Sequence, residues 1–201
     1  MTSRIIAAAL ALACVSGASL SGCVAPVGPV EVTRFHAPDV SRLGKGAITV
    51  EPAPGMDGAS LEYRSYAGAV ARQLGLLGYA EQVAGRAEQV ATVRVSREAY
   101  QAARSRSPVS VGVGGATGSY GSGVGVGIGL NLSGPPPEQV TTQLAVTIRD
   151  RASGQALWEG RASFTVRADS PMADTQLGAA KLAEALFRGF PGQSGETIQV
   201  K

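Results

Sequence analysis

Apolar and polar positions alternate with period two over residues 140–148, where Leu144, Val146 and Ile148 fall on one side and Gln143, Thr147 and Arg149 on the other. Successive side chains leave a strand on opposite faces, so this pattern predicts a half-buried β-strand. After Asp150-Arg-Ala-Ser-Gly154, a turn by composition, Trp158, Ala162, Phe164 and Val166 resume the alternation. The two runs predict a hairpin that places the single tryptophan in the core. β-rich pieces at residues 30–35 and 47–50 are separated by Pro38, Gly44 and Gly46. A run at 90–95 puts Val93 and Val95 inward, and residues 196–201 complete the predicted strands.

Two stretches change to a period near 3.6 residues. Tyr63, Tyr66, Ala67, Val70, Leu74 and Leu77 follow N-cap candidates between Asp57 and Ser60, predicting an amphipathic helix stopped by Gly75 and Gly78, its tyrosines core rather than groove lining. Ala179, Leu182, Ala183, Leu186, Phe187 and Phe190 form a second stripe. It is opened by Ser170 as N-cap with Pro171 in the first turn, and closed by Pro191-Gly192. Each helix has one apolar face to bury, and the strands are mainly joined as hairpins. The expectation is an α+β fold, a two-layer sandwich of a mainly antiparallel sheet with both helices on one face. Spacings after Tyr100 are too short for helical crossovers, which disfavours a parallel nucleotide-binding sheet.

Residues 110–134 hold ten glycines in 25 positions. Val109, Val111 and Val113, then Val124, Val126, Ile128, Leu130 and Leu132, alternate with glycine, serine and asparagine, which predicts a Gly-rich β-hairpin with one aliphatic face. Five strand glycines cost roughly 2.5–5 kcal/mol, so something must offset them. One reading is a flexible hairpin whose glycine side admits a neighbouring backbone. Another is an interaction surface built on Val111, Val113, Val124, Val126, Ile128 and Leu130, meeting a partner or lipid. A phosphate cradle fails on spacing, because neither a G-x-G-x-x-G nor a P-loop pattern can be written through these residues.

The amino-terminal pattern concerns location. Arg4 precedes 11 residues without a charge, Ile5 to Val15, and the small residues Ser16, Gly17 and Ser19 follow. That is the shape of a secretory signal and is short of the about 20 apolar residues of a membrane-spanning helix. Leu20-Ser21-Gly22-Cys23 then resembles the bacterial lipobox, in which an aliphatic and two small residues let the signal peptidase reach the backbone before a cysteine. The resemblance implies a leader at 1–22, a diacylglycerol thioether on Cys23, a lipidated tether over 23–29, and one periplasmic domain over 30–201. Val24 in place of aspartate leans toward the outer membrane, with the inner membrane the other possibility. Lipid chains contribute about 0.8 kcal/mol per buried methylene, and two or more hold firmly. Cys14 leaves with the leader, so the mature chain has no free thiol and no disulfide.

Composition then narrows the chemistry. The chain is 44% hydrophobic and 16% charged, with a net charge of +3. That excess is too weak to argue for nucleic acid, and Arg94, Arg97, Arg104 and Arg106 read as a solvated edge rather than a polyanion contact. His36 is the only histidine, so a triad or a zinc site has little to draw on. Glu51, Asp57, Glu62, Asp150 and Glu159 could pair in space, though nothing in their spacing asks for it. No catalytic residue, metal site or cofactor is expected.

Tyr66-Ala67, Gly78-Tyr79, Asp150-Arg-Ala-Ser-Gly154, Leu157-Trp158-Glu159-Gly160 and Phe190-Pro191, in that order, resemble the bacterial lipoprotein family known as domain of unknown function 4136. Such sequences often show Ala-Asp where this one has Ala91-Thr92, and the glycine hairpin here is longer and more regular. The resemblance implies an envelope lipoprotein of α/β build and supplies no catalytic residues. The functional expectation is a non-enzymatic binding or scaffolding domain. It is held to its membrane by the N-terminal lipid and has an envelope protein or lipid as partner. The alternative is an accessory lipoprotein of a lipid or small-molecule transport system.

Overall fold

The computed structural model describes residues 28–83, 85–101, 109–118, 121–130 and 137–201. Its strands are β1 (Val30–His36), β2 (Ala47–Pro52), β3 (Ala80–Glu81), β4 (Gln89–Tyr100), β5 (Val109–Gly118), β6 (Gly121–Leu130), β7 (Gln139–Asp150), β8 (Ala156–Arg167) and β9 (Thr197–Val200). Seven of them form one sheet in the order β3-β2-β4-β7-β8-β1-β9. Helices α1 (Leu61–Leu76) and α2 (Thr175–Phe187) complete an α+β fold. Strands β5 and β6 pair antiparallel with each other in a second sheet. The residues joining them, their side chains, and hence the aliphatic face expected of Val111, Val113, Val124, Val126, Ile128 and Leu130 lie outside the described residues.

Alternation is realised as expected in the two central strands. Val140, Thr142, Leu144, Val146, Ile148 and Asp150 are buried along β7, opposite Val166, Phe164, Ala162, Gly160 and Trp158 of β8. Val30 and Val32 of β1, with Ala91 and Val93 of β4, extend this inner face sideways. Tyr63, Tyr66, Ala69, Val70 and Leu74 of α1 cover it together with Ala179, Leu182, Ala183 and Leu186 of α2. Burial holds the Tyr66 hydroxyl far from ionisation, pushing its pKa up to about 12.

Several boundaries differ from the expectation, each for a local reason. One edge of the sheet is parallel: β2 pairs in parallel with both β3 and β4, and α1 provides the long connection such pairing needs. Helix α1 runs through Gly75 and stops at Leu77. Gly78 ends it with φ +102°, where a Cβ would lie 2.7 Å from the Gly44 carbonyl oxygen. Ser60 is its N-cap, accepting from the Tyr63 amide at 3.1 Å. Ser170 and Pro171 open only a short 3₁₀ turn (Pro171–Ala173), and α2 begins after a second cap, Asp174, which accepts from the Gln176 amide. Helix α2 ends at Phe187, before Pro191-Gly192, yet Phe190 still joins the core cluster beyond it.

Candidate functional site

Both helices lie on one side of the sheet, and among the described residues no element covers its other face. A groove of about 320 Å³ crosses it over β1, β8, β7 and β4, rimmed by Ala53 and Pro54 after β2. The register builds it in rows. Arg94, Ala145, Arg161 and Thr33 stand side by side across four strands, and Thr92, Thr147, Glu159 and Phe35 form the adjacent row. Strands are about 4.8 Å apart, so Arg94 and Arg161 straddle the short Ala145 with backbones about 10 Å apart. Arg149 also lines the groove. Arg94 donates to the Pro54 carbonyl at 3.0 Å and Arg149 to the Gly154 carbonyl at 3.4 Å. Among the described residues no carboxylate lies within 4 Å of Arg94, Arg149 or Arg161, although Glu159 shares the groove. Three guanidiniums against one carboxylate give a positive strip with planar donors free for a carboxylate or phosphate.

The residues singled out by sequence are distributed differently. Arg94 and Arg97 fall on opposite faces of β4, so they form no common edge; Arg104 and Arg106 lie outside the described residues. Arg97 ties the starts of the helical layer together, donating to the Ala173 carbonyl at 2.7 Å and the Thr175 hydroxyl at 3.1 Å, with Glu62 at 3.6 Å. The candidate carboxylates do not pair with one another. Glu51 pairs with Arg151 at 2.7 Å, and Asp57 accepts from the Ala59 amide. Asp150 accepts from the amide and hydroxyl of Ser153 and pairs with Arg42 at 2.6 Å. Those bonds hold the Asp150 carboxyl well below the usual carboxylate range. The Asp150–Gly154 turn is thus a clasp: Asp150 holds the loop after β1, while Arg151 reaches Glu51 and the Ala87 carbonyl.

His36 hydrogen-bonds through its ring to the Ala37 carbonyl, and Ser194 meets only its backbone. Among the described residues no group of three or more His, Cys, Asp or Glu side chains is placed to hold a metal ion. No described helix is long and apolar enough to cross a membrane. The expected leader, Leu20, Ser21, Gly22 and Cys23 lie outside the described residues. Sequence reading missed the arginine row. Arg94 was singled out, but in a group with Arg97 rather than with Arg161, because rows depend on pairing between strands distant in the chain.

Over residues 47–192 the chain matches the model of a family described as domain of unknown function 4136. An uncharacterized protein of Zymomonas mobilis subsp. mobilis is 31% identical over 217 aligned residues, covering 86% of this chain and 80% of that one. Among solved structures, a PDZ domain protein from Parabacteroides distasonis is similar over 86% of this chain at 11% identity and a TM-score of 0.45; the chain spans 39% of that protein's length. The PelC dodecamer from Paraburkholderia phytofirmans is similar over 82% of this chain and 99% of its own, at 13% identity and a TM-score of 0.41.

Proposed function

The chain belongs to the domain of unknown function 4136 family, and from that premise we propose that it is a lipid-anchored, non-catalytic binding protein of the bacterial envelope. Its open sheet face receives an anionic partner. The observation that carries the binding reading is the row of arginines without carboxylate partners on the one face that the helices leave uncovered. Desolvating a guanidinium is costly unless a matching anion replaces water, so such a row is selective for carboxylate- or phosphate-bearing ligands. The anchor reading is supported by Leu20-Ser21-Gly22-Cys23 behind an apolar leader, and Val24 favours the outer membrane with the domain on its periplasmic side.

Intact-mass analysis of the membrane-extracted protein, with co-purifying species retained, tests both halves. The expected result is a diacylglycerol adduct on Cys23, absent in Cys23→Ala, and an acidic species lost when Arg94→Ser and Arg161→Ser are combined. An unmodified Cys23 in a soluble product overturns the anchor. An acidic species retained by the double variant, or none in the native protein, overturns the binding face.

A further inference from the structure

Charge in the groove is divided between two adjacent rows of the sheet. Arg94 and Arg161 stand in one row with the short Ala145 between them, so the space above Ala145 is flanked by two guanidiniums. In the other row Glu159 and Phe35 are a direct cross-strand pair, and both side chains rise into the groove with Cβ atoms about 5 Å apart. Phe35 is 48% exposed, which leaves its ring open to a ligand. Rows on one face are two residues apart, about 7 Å along the strand. Glu159 and Arg161 are neighbours by that measure, yet among the described residues no cationic nitrogen lies within 4 Å of the Glu159 carboxylate. Arg149, two residues beyond Thr147 on β7, donates to the Gly154 carbonyl instead.

Each row selects a different charge. A carboxylate has two oxygens and fills one guanidinium fork, whereas a phosphate has oxygens enough to meet the forks of Arg94 and Arg161 together. The anion row therefore favours phosphate. A carboxylate beside an exposed aromatic ring is complementary to a cation, because the carboxylate accepts from an ammonium N–H and the ring face attracts the same charge. A purely anionic ligand held by the arginines would be repelled by Glu159, and an ammonium on that side of the ligand turns the repulsion into attraction. A volume of about 320 Å³ with mostly polar walls suits a headgroup-sized ligand and no acyl chain.

We infer that the groove binds a phosphate with an ammonium a few bonds away, a phosphoethanolamine group: Arg94 and Arg161 hold the phosphate above Ala145, and Glu159 with Phe35 takes the ammonium. The inference rests on the anionic binding face proposed above and adds a cation-binding row to it. The same group occurs as a free phosphomonoester and as the phosphodiester headgroup of a lipid.

Titration calorimetry on the full chain, purified from membranes in detergent, compares two pairs of probes. O-Phosphoethanolamine is set against glycerol phosphate, and glycerophosphoethanolamine, the deacylated lipid headgroup, against glycerophosphoglycerol. In at least one pair the ethanolamine compound is expected to bind at least about tenfold more tightly than its purely anionic partner. A larger preference in the monoester pair assigns the site to a free compound, and in the diester pair to a lipid headgroup. Glu159→Gln should bring the ratio to about one, and Phe35→Ser should lower it by about threefold. Arg94→Ser combined with Arg161→Ser should abolish binding of all four probes. These side chains are exposed or half-buried, so the substitutions leave the core intact. Equal affinities within both pairs, or a preference that survives Glu159→Gln, would overturn the phosphoethanolamine site, while arginine-dependent binding of glycerol phosphate would still uphold the anionic face. Binding indifferent to the paired arginine substitutions overturns both. If no probe binds, the phosphoethanolamine site falls alone, and the acidic species co-purifying with the native protein decides the face.

Discussion

Gly160 sits on the inner face of β8 beneath the indole of Trp158, and the absence of its side chain shapes the densest part of the core. A Cβ there would lie 2.3 Å from Trp158 Cη2 and 2.8 Å from Leu186 Cδ1. Trp158 is fully buried, stacks on Phe187 at 5.3 Å, meets Phe190 at 5.2 Å, and donates its indole N–H to the Pro191 carbonyl at 3.0 Å. Gly160→Ala should therefore cost about 1–3 kcal/mol by overpacking, read as a lower urea midpoint with unchanged slope. The segment Leu157-Trp158-Glu159-Gly160 thus joins a core requirement at Trp158 and Gly160 to a groove residue at Glu159. Asp150 gives a pH prediction with a definite sign. Its carboxyl titrates below its unfolded value of about 3.9, so its contribution is complete above that value and is lost as acid protonates it in the folded state. Asp150→Asn should be less stable at neutral pH and show a flatter loss of stability below about pH 5, compared by urea midpoints across the acid range.

Helix ends show how far local signals reach. Ser60 was legible as a cap because a hydroxyl before an apolar stripe has few other uses, and it does accept from the Tyr63 amide. Gly75 was misread, since a glycine within the last turn resembles a stop; what ends α1 is the close approach of Gly78 to Gly44, a contact between segments far apart in sequence. The entry to α2 was misread for the opposite reason: Ser170-Pro171 is a good start signal, but Asp174 supplies a better cap four residues later. The last turn of α2 holds no basic residue, and Arg188 at its C-cap is paired with Glu184 at 2.8 Å. Buried Arg34 of β1 donates to the Ala185 carbonyl at 3.2 Å, where the helix dipole is negative. Burial lowers the Arg34 pKa, while Glu196 opposes that shift. Ser60→Ala and Asp174→Ala should each cost about 1 kcal/mol, measured separately by thermal unfolding.

At the scale of the whole molecule, sequence alternation revealed which side of β7 and β8 is buried, because burial imposes period two. It could not reveal which strands are neighbours. The parallel edge at β2 and the row Arg94, Ala145, Arg161 and Thr33 both depend on pairings across the chain, so fold class was legible and the groove was not. The same topology makes a strong claim about residues 101–138. Strands β4 and β7 stay in register to their last pair, Tyr100 with Gln139, whose side chains are hydrogen-bonded at 2.8 Å. The main sheet therefore reaches its full length before the intervening 38 residues begin. An Asn-Gly turn in their place joins two antiparallel strands at a directly paired position, the geometry that two-residue hairpins favour. Closing about two residues instead of 38 removes about 2.5 kcal/mol of loop entropy, partly offset by turn strain. The shortened protein should thus unfold at a denaturant midpoint no lower than that of the full chain and keep slow amide exchange at Leu144 and Val146. A clear fall in the midpoint would show instead that the glycine-rich strands support the sheet they leave, and that their work is structural.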